Sequence, residues 1–437
     1  MKKSQELPEL SKSKMVRCTM SIEVNGRVYA CPARPSVVIC YDGCDPAYVA
    51  DAVIRGVSPR LKQMLADGFY ANALSAMPSF TNPNNVSIIC GAPPRVHGIS
   101  GNYWYDRATK TEVMMTDAGP LSAPTVLASL SQAGVKVAAV TAKDKLRKAL
   151  AVGLAGPGAS GIAFSAEKAR SCTVEEHGID SAEAQGDAPV PDQYSPELSL
   201  FVLDAGVRLL KAARAELLYL SLSDFVQHAY APGAPQSDAF MKAVDDRIGA
   251  LLDLGAVVGV VADHGMTDLS LADGTPNILY LGDVLDARFG PGCLKVICPI
   301  TDPFVRHHGA LGGFVRVHVV GEADHAEVRD FIAGLPGIQH ALIREDACRM
   351  FELPMEREGD VTVVASKGVA LGTSKGAHKL EELAGARLRS HGSLAERDVP
   401  FAVSSPLNAE YRQKARSGQL YNYDIFDYVL NGTQEAR

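Results

Sequence analysis

Surplus positive charge, long apolar runs and paired cysteine motifs are what this chain of 437 residues lacks. Its net charge of -7 argues against general nucleic-acid binding, because a protein that holds a phosphate backbone needs a surplus of lysine and arginine. No run approaches the ~20 apolar residues that a membrane helix requires. Residues 1–14 are polar and have no apolar stretch of the kind found in a secretory signal. We therefore expect no nucleic-acid partner, no membrane insertion and a cytoplasmic location.

The spacing of the cysteines excludes proteins that depend on paired cysteine motifs. The nine cysteines contain no Cys-x-x-Cys pair and no zinc-finger spacing, and an odd number cannot all pair within one chain. This pattern is typical of a reducing compartment. Hydrophobic residues make up 47% of the chain and charged residues 21%, which is ordinary for a globular protein with a sizeable core.

Apolar strand-like runs alternate with helical patterns along most of the chain, which predicts an α/β fold with a mainly parallel central sheet and helices on both faces. The predicted strands are 36–41, 135–140, 217–222 and a run starting at 256. The predicted helices are 46–66, 86–90, 121–132, 196–213, 237–252 and 424–430. A hairpin is expected at 19–30 around Asn25-Gly26.

The pattern changes between residues 282 and 372, where strands at 314–320, 337–343 and 361–365 alternate with helices at 323–333 and 346–351. We interpret this segment as an inserted α+β cap with βαβ character. The expected division is a tail and hairpin at 1–34, a catalytic core at 35–281 and 373–437, and the cap at 282–372.

Polar side chains follow several of the predicted strands. Asp42 follows the first strand, and Asp263 and His264 follow the strand that starts at 256, where Gly265 would permit an immediate turn. Asp224 and His228 follow another strand, four residues apart, so both can face one ion. Because open α/β sheets bind ligands at the carboxyl ends of their strands, we expect these residues to converge. Taken one by one, each also fits an ordinary turn, cap or surface residue.

Four other residues could complete a site. Thr81 precedes an apolar helical run at the position of an N-cap, where a hydroxyl meets free N–H groups that also favour a phosphoryl group. Asn102 could donate to an oxyanion. Lys143 and Lys145 lie at a strand-to-helix junction and are either surface charges or part of the same cleft.

His391, in Arg389-Ser-His-Gly, is a further candidate ligand and is preferred to His378, which lacks the following glycine. His307 and His308 could reach the cleft or face solvent. Mixed carboxylate and imidazole ligands suit zinc, and also manganese or iron, and two such ions would form a clamp for displacement at phosphorus.

The order of these motifs and the residues in them resemble those of the alkaline phosphatase superfamily, and most closely those of its nucleotide pyrophosphatase/phosphodiesterase-like branch. The motifs are Tyr41-Asp-Gly, Phe80-Thr-Asn-Pro-Asn-Asn, His97-Gly-Ile-Ser-Gly-Asn, Asp224 with His228, Asp263-His-Gly-Met and Ser390-His-Gly. The resemblance covers about residues 35 to 430 and implies an alkaline phosphatase-like fold.

The resemblance also implies a cofactor of two Zn2+ per chain. One ion would be held by Asp224, His228 and His391, and the other by Asp42, Asp263 and His264 with the Thr81 oxygen. Thr81 would then be the nucleophile and form a phosphothreonine that is hydrolysed. Asn102 and the backbone N–H near Asn82 would hold the phosphoryl oxygens, His228 would also contact the substrate, and Lys143 and Lys145 would bind a substrate carboxylate.

The resemblance also leads to the hypothesis that the chain cleaves the carbon–phosphorus bond of phosphonoacetate, a small anionic phosphonate, to acetate and phosphate. Breaking this bond expels a carbanion, which is tolerable only if the adjacent carboxylate takes up the charge. A phosphodiesterase or nucleotide pyrophosphatase with the same metals and Thr81 is the alternative enzyme, and a metal-binding scaffold without activity is the alternative outside enzymes. The sequence also leaves a homodimer open.

Overall fold

The structure is a computed structural model that describes residues 21–186, 189–302, 309–383 and 385–433. Its strands are, in chain order, β1 (Ser21–Val24), β2 (Arg27–Ala30), β3 (Ser36–Cys40), β4 (Phe69–Leu74), β5 (Tyr103–Asp106), β6 (Thr111–Met114), β7 (Val137–Thr141), β8 (Ile162–Ser165), β9 (Leu217–Ser221), β10 (Val257–Val261), β11 (Thr267–Asp268), β12 (Ile278–Tyr280), β13 (Leu294–Ile297), β14 (Phe314–Val319), β15 (Ile338–Ile343), β16 (Val361–Ala365), β17 (Ala370–Gly372), β18 (Arg389–Ser390) and β19 (Asp398–Val403).

Its α-helices are α1 (Pro46–Ile54), α2 (Pro59–Asp67), α3 (Thr81–Cys90), α4 (Pro94–His97), α5 (Val126–Gln132), α6 (Asp144–Leu150), α7 (Val174–His177), α8 (Glu197–Lys211), α9 (Phe225–Ala229), α10 (Pro235–Asp253), α11 (Leu281–Phe289), α12 (His325–Ala333), α13 (Arg344–Phe351), α14 (Ala409–Ser417) and α15 (Ile425–Leu430). Within the described residues, no helix combines the length and the apolar character needed to cross a membrane.

A seven-stranded sheet with the order β4-β19-β10-β3-β9-β7-β8 forms the centre of the molecule. The five strands from β10 to β8 are parallel, whereas β19 and β4 add an antiparallel edge. Every residue of β3, β7, β9 and β10 is buried, as expected for β-branched, apolar strands covered on both faces. The α/β prediction with a mainly parallel sheet is confirmed.

Helices pack on this sheet in two groups. One group contains α1, α2, α8 and α10, which contact each other and the strands β4, β19, β9 and β10. The other contains α3, α5, α6 and α15, in which α3 contacts the other three helices. Each group buries the apolar face of its helices against the sheet, so the sheet core is closed on both sides.

A second, four-stranded sheet lies within the segment interpreted as a cap. Its order is β13-β14-β16-β15, and all neighbours are antiparallel. Because β14 and β15 both run antiparallel to β16 between them, they are parallel to each other and are joined through α12, so the expected βαβ character takes the form of a split βαβ unit. This sheet has its own buried apolar cluster, which also includes Met77 and Phe80 from the segment just before α3. The segment thus packs directly against the start of α3.

Several predicted elements differ from the structure. The single helix expected at 46–66 is two helices, because Gly56 has a left-handed φ of +74° and Pro59 starts α2. The antiparallel strands β4 and β19 were missed, since β4, at the edge of the sheet, is only half buried and β19 contains Pro400. Among the residues that the structure describes, seven cysteines are free and Cys31 is in a disulfide, which the expectation of a reducing compartment did not include.

Candidate active site

The central sheet brings the predicted carboxylates together at one edge. Asp42, Asp224 and Asp263 follow β3, β9 and β10, which are adjacent and parallel in the order β10-β3-β9. The carboxyl ends of these strands therefore meet at one edge of the sheet. All three side chains are buried.

Asp224, His228 and His391 form the first candidate metal group, in which one potential ligand atom per residue lies within 4.8 Å of the others. His228 Nε2 is 2.8 Å from Asp224 Oδ2, and His391 Nε2 is 3.9 Å from the same oxygen. Asp224 is the N-cap of α9 and His228 lies within this helix, so their i, i+4 spacing places both side chains on one face.

Asp42, Asp224 and His264 form the second candidate group. His264 Nε2 is 3.3 Å from Asp42 Oδ1 and 3.2 Å from the Thr81 hydroxyl oxygen. Asp263 is outside both groups, although its Oδ2 is 3.9 Å from His264 Nε2. Its Oδ1 accepts hydrogen bonds from the backbone N–H groups of both Gly43 and His264. Metal ligation by Asp263 stays a prediction.

The three site histidines share one hydrogen-bond arrangement. Nδ1 of His228 is 2.6 Å from the Arg389 carbonyl, and Nδ1 of His264 and His391 are each 2.8 Å from the carbonyls of Gly265 and Ser79. Because a carbonyl only accepts, each Nδ1 carries the proton, and in a neutral ring Nε2 is left with a lone pair. In metal sites, hydrogen bonds from Nδ1 to backbone carbonyls orient the histidine rings so that Nε2 faces the metal ion.

The contacts of these lone pairs fit bound cations. Each Nε2 faces a carboxylate oxygen, and two acceptors at such distances repel each other unless a proton or a bound cation lies between them. Asp42 Oδ1 is buried and has no hydrogen-bond partner among the described residues. Burial, with Asp224 and Asp263 nearby, raises the pKa of Asp42 well above its ordinary value. Bound divalent cations would reverse that penalty, so the donor set fits metal ions.

The backbone around these ligands turns in two different ways. Gly43, directly after Asp42, has φ of +67°, a left-handed conformation that glycine adopts without strain. Gly265, expected to make the turn after His264, is not left-handed; instead, a Cβ there would lie 2.9 Å from Asp45 Oδ2. Gly265 therefore does not adopt the left-handed conformation that favours glycine, and the nearest atom to such a Cβ would be at the end of the Asp45 side chain.

Thr81 is the first residue of α3, with Phe80 as the N-cap, so the expectation that Thr81 itself caps the helix is wrong. Its hydroxyl does not cap the helix and faces His264. The N-terminus of this ten-residue helix borders the cavity through Phe80, Thr81 and Asn82, where its N–H groups favour an anion.

Asn85, which the sequence analysis missed, links α3 to the metal groups. Its amide nitrogen donates to the Thr81 carbonyl and to Asp263 Oδ2, each at 3.0 Å. Its oxygen accepts from the hydroxyls of Tyr219 and Ser221 on β9. The spacing of Asn85 one helical turn after Thr81 was the available signal.

A cavity of about 350 Å³ adjoins both groups and is bordered by Asn102, Lys143 and Lys145. Asn102 is held by its backbone N–H, which donates to the Pro299 carbonyl at 2.8 Å, and by Asn82, whose amide donates to its side-chain oxygen at 2.5 Å. Burial lowers the pKa of both lysines, against the attraction of nearby carboxylates. The lysines thus lie at the cavity rather than on open surface.

The remaining histidines were the open alternatives. His378 lies apart from the two groups: its Nε2 accepts from the Thr373 N–H at 2.9 Å, and its Nδ1 is 2.8 Å from the Gly309 carbonyl. The structure therefore brings His391, and not His378, to the cluster. His307 and His308 lie outside the described residues.

Comparison with known proteins shows which family the chain belongs to. The family model described as type I phosphodiesterase / nucleotide pyrophosphatase matches residues 36–392. The chain belongs to this family, and its fold is alkaline phosphatase-like. More particularly, it is similar to phosphonoacetate hydrolase from Sinorhizobium meliloti 1021, whose structures contain phosphonoformate or phosphonoacetate. The identity is 44%, the match covers 95% of this chain and 100% of that chain, and the TM-score is 0.88.

More distant structures share the fold alone. Murine ectonucleotide pyrophosphatase / phosphodiesterase 5, solved with AMP, is 16% identical with a TM-score of 0.58, over 92% of this chain and 96% of that one. The human protein is 14% identical with a TM-score of 0.59, over the same shares of both chains. The superfamily resemblance inferred from the motifs is confirmed.

Proposed function

We propose that this protein hydrolyses phosphonoacetate to acetate and phosphate, with Thr81 as the nucleophile and two bound zinc ions. One observation carries the proposal: a single cavity brings together Thr81, the cluster residues Asp42, Asp224 and His391, and the lysines Lys143 and Lys145. The 44% identity to the Sinorhizobium phosphonoacetate hydrolase supports the substrate.

The metal ligands proposed are Asp224, His228 and His391 for one ion, and Asp42, Asp263, His264 and Thr81 for the other. Divalent ions, of which zinc suits this mixture of imidazole and carboxylate, would supply positive charge that favours the alkoxide of Thr81 and the charge on the phosphoryl group. The buried Asp42 oxygen without a partner and the three Nδ1-bonded histidines support this assignment.

Thr81 and the start of α3 would act on the phosphoryl group. The Thr81 oxygen forms the new bond to phosphorus, while Asn102 and the N–H groups at the helix start hold the phosphoryl oxygens. Asn85 fixes the position of Thr81 through its backbone carbonyl. Water then hydrolyses the phosphothreonine and restores the hydroxyl.

Lys143 and Lys145 would act on the leaving group. When the carbon–phosphorus bond breaks, its electron pair passes to the carbon and is delocalised into the adjacent carboxylate as an enolate, which then takes a proton to give acetate. The charge on that carboxylate rises during the step, so ammonium groups beside it stabilise the transition state more than the bound substrate. We also propose a cytoplasmic location, supported by the seven free cysteines.

The experiment measures phosphate release from phosphonoacetate by metal-stripped protein resupplied with zinc, manganese or iron. A chromogenic phosphodiester is assayed in parallel, because the family also contains phosphodiesterases. We expect zinc-dependent release from phosphonoacetate with slow diester cleavage. Diester cleavage without phosphonoacetate cleavage would contradict the proposed substrate but not the metal site.

The variant Lys143→Met/Lys145→Met tests the role of the lysines. We expect phosphonoacetate turnover to fall by at least about a hundredfold, as is usual when charges that stabilise a transition state are removed. Lys242→Met is the control, because Lys242 is exposed and pairs with Asp246 on α10. An unchanged rate in the double variant would refute carboxylate binding by these lysines.

A further inference from the structure

Lys143 and Lys145, two of the four lysines that border the cavity, have different partners. Lys143 Nζ donates to the Gln193 carbonyl at 3.0 Å and lies 5.0 Å from the centre of the Tyr194 ring, and both of these partners are neutral. Lys145 Nζ instead forms an ion pair with Asp302, at 2.8 Å from its Oδ2. A substrate carboxylate therefore meets one ammonium group that a carboxylate of the protein already contacts.

This ion pair joins two separate parts of the chain. Lys145 lies in the first turn of α6, after strand β7 of the central sheet, whereas Asp302 follows β13 of the four-stranded sheet. Both residues border the cavity, and their side chains are only 11% and 9% exposed. At such low exposure solvent screens the charges weakly, so the carboxylate of Asp302 acts on anything bound beside it.

We propose that Asp302 determines specificity by offsetting the charge of Lys145, so that this end of the cavity accepts substrates with one carboxylate and rejects those with two. The inference rests on the proposed function. Phosphonosuccinate is the informative comparison, since its phosphorus-bearing carbon is also next to a carboxylate. The same bonds would form and break, with succinate and phosphate as products.

Charge, more than size, would make this distinction. The cavity volume of about 350 Å³ lies within the range that holds drug-sized ligands. A second carboxylate beside Asp302 would meet a like charge in a poorly solvated place. Such like-charge contacts are a common source of specificity.

The test compares kcat/KM for phosphonosuccinate and phosphonoacetate in the zinc-loaded wild type and in Asp302→Asn. We expect the ratio of the two values to rise by at least about tenfold in the variant, because one like charge is removed from a desolvated site. Asp302→Ser repeats the change with a different side chain in case the asparagine variant does not fold.

Two controls separate this effect from a general change. In Lys145→Met/Asp302→Asn both charges are absent, and we expect the ratio to return to near the wild-type value. Asp330→Asn, on the exposed side of α12, should leave it unchanged. A ratio that stays at the wild-type value in both Asp302 variants would overturn the inference. If the wild type releases no phosphate from phosphonoacetate, the proposed function fails first.

Discussion

A fully buried ion pair in the cap segment, Arg316 with Glu358, gives the sharpest stability prediction. Their side chains are 1% and 0% exposed. Arg316 donates from Nε to Glu358 Oε2 at 2.8 Å and from Nη2 to Oε1 at 2.5 Å, a two-pronged contact. Nη2 also donates to the carbonyl of Ser100 at 2.9 Å, two residues before Asn102. The pair therefore supports the loop that carries Asn102.

Arg316→Met should lower the free energy of unfolding by about 3–5 kcal/mol, because it leaves the Glu358 carboxylate buried without its charge partner. The double variant Arg316→Met/Glu358→Leu should cost much less than the sum of the two single variants, since an apolar pair leaves no buried charge. The matched control is Arg349→Met, whose arginine is 77% exposed and pairs with Asp346; it should cost less than about 1 kcal/mol.

Urea unfolding followed by tryptophan fluorescence measures these values. The single tryptophan, Trp104, lies on β5 next to the Ser100 loop, with the Arg357 guanidinium 5.1 Å from its ring centre. Phosphate release from phosphonoacetate should also fall in Arg316→Met, because Asn102 loses its support. Costs that add in the double variant would refute the argument, since they would mean that the two side chains contribute independently.

Three further predictions concern the site. Thr81→Ala should abolish phosphate release. Zinc binding, measured by metal analysis after dialysis, should fall less than phosphate release does, because the aspartate and histidine ligands remain. Turnover at the wild-type rate would rule out Thr81 as nucleophile. His391→Gln should lose zinc and activity, whereas His378→Gln should keep both, since only His391 lies in the cluster. Burial lowers the pKa of Lys143 and Lys145, so these groups lose their protons below the ordinary lysine value of 10.5. The KM for phosphonoacetate should therefore rise with pH in that alkaline range, and a flat profile up to pH 10.5 would contradict carboxylate binding by charged lysines.

The parallel part of the fold and its polar strand ends could be predicted because both depend on local pattern. Apolar runs such as 217–222 are long enough to mark buried strands, and their alternation with helices fixes the layer architecture. Asp42, Asp224 and Asp263 stand directly after such runs. The antiparallel edge could not be predicted in this way, because β4 alternates weakly and β19 carries a proline.

Contacts between residues that are far apart in the sequence could not be predicted from a local sequence pattern. Asp302 meets Lys145 from 157 positions away in the sequence, and Arg316 meets Ser100 from 216 positions away. No local period links such residues, because their contacts are set by how the part of the chain around the four-stranded sheet packs on the rest. Asn85 is intermediate: its spacing from Thr81 is local, but its contact with Asp263 spans 178 positions.

Strand spacing explains why the predicted ligands could be grouped and why their assignment to individual ions could not. Neighbouring strands lie about 4.8 Å apart, close to the ~4 Å that separates the ions of two-metal sites, so carboxylates after β10, β3 and β9 span such a pair. Which oxygen faces which ion depends on the loop after each strand. Asp224 belongs to both candidate groups, while the oxygens of Asp263 accept hydrogen bonds from two backbone N–H groups and Asn85. The sheet order therefore determines that the ligands meet, and the loop geometry determines how they are shared.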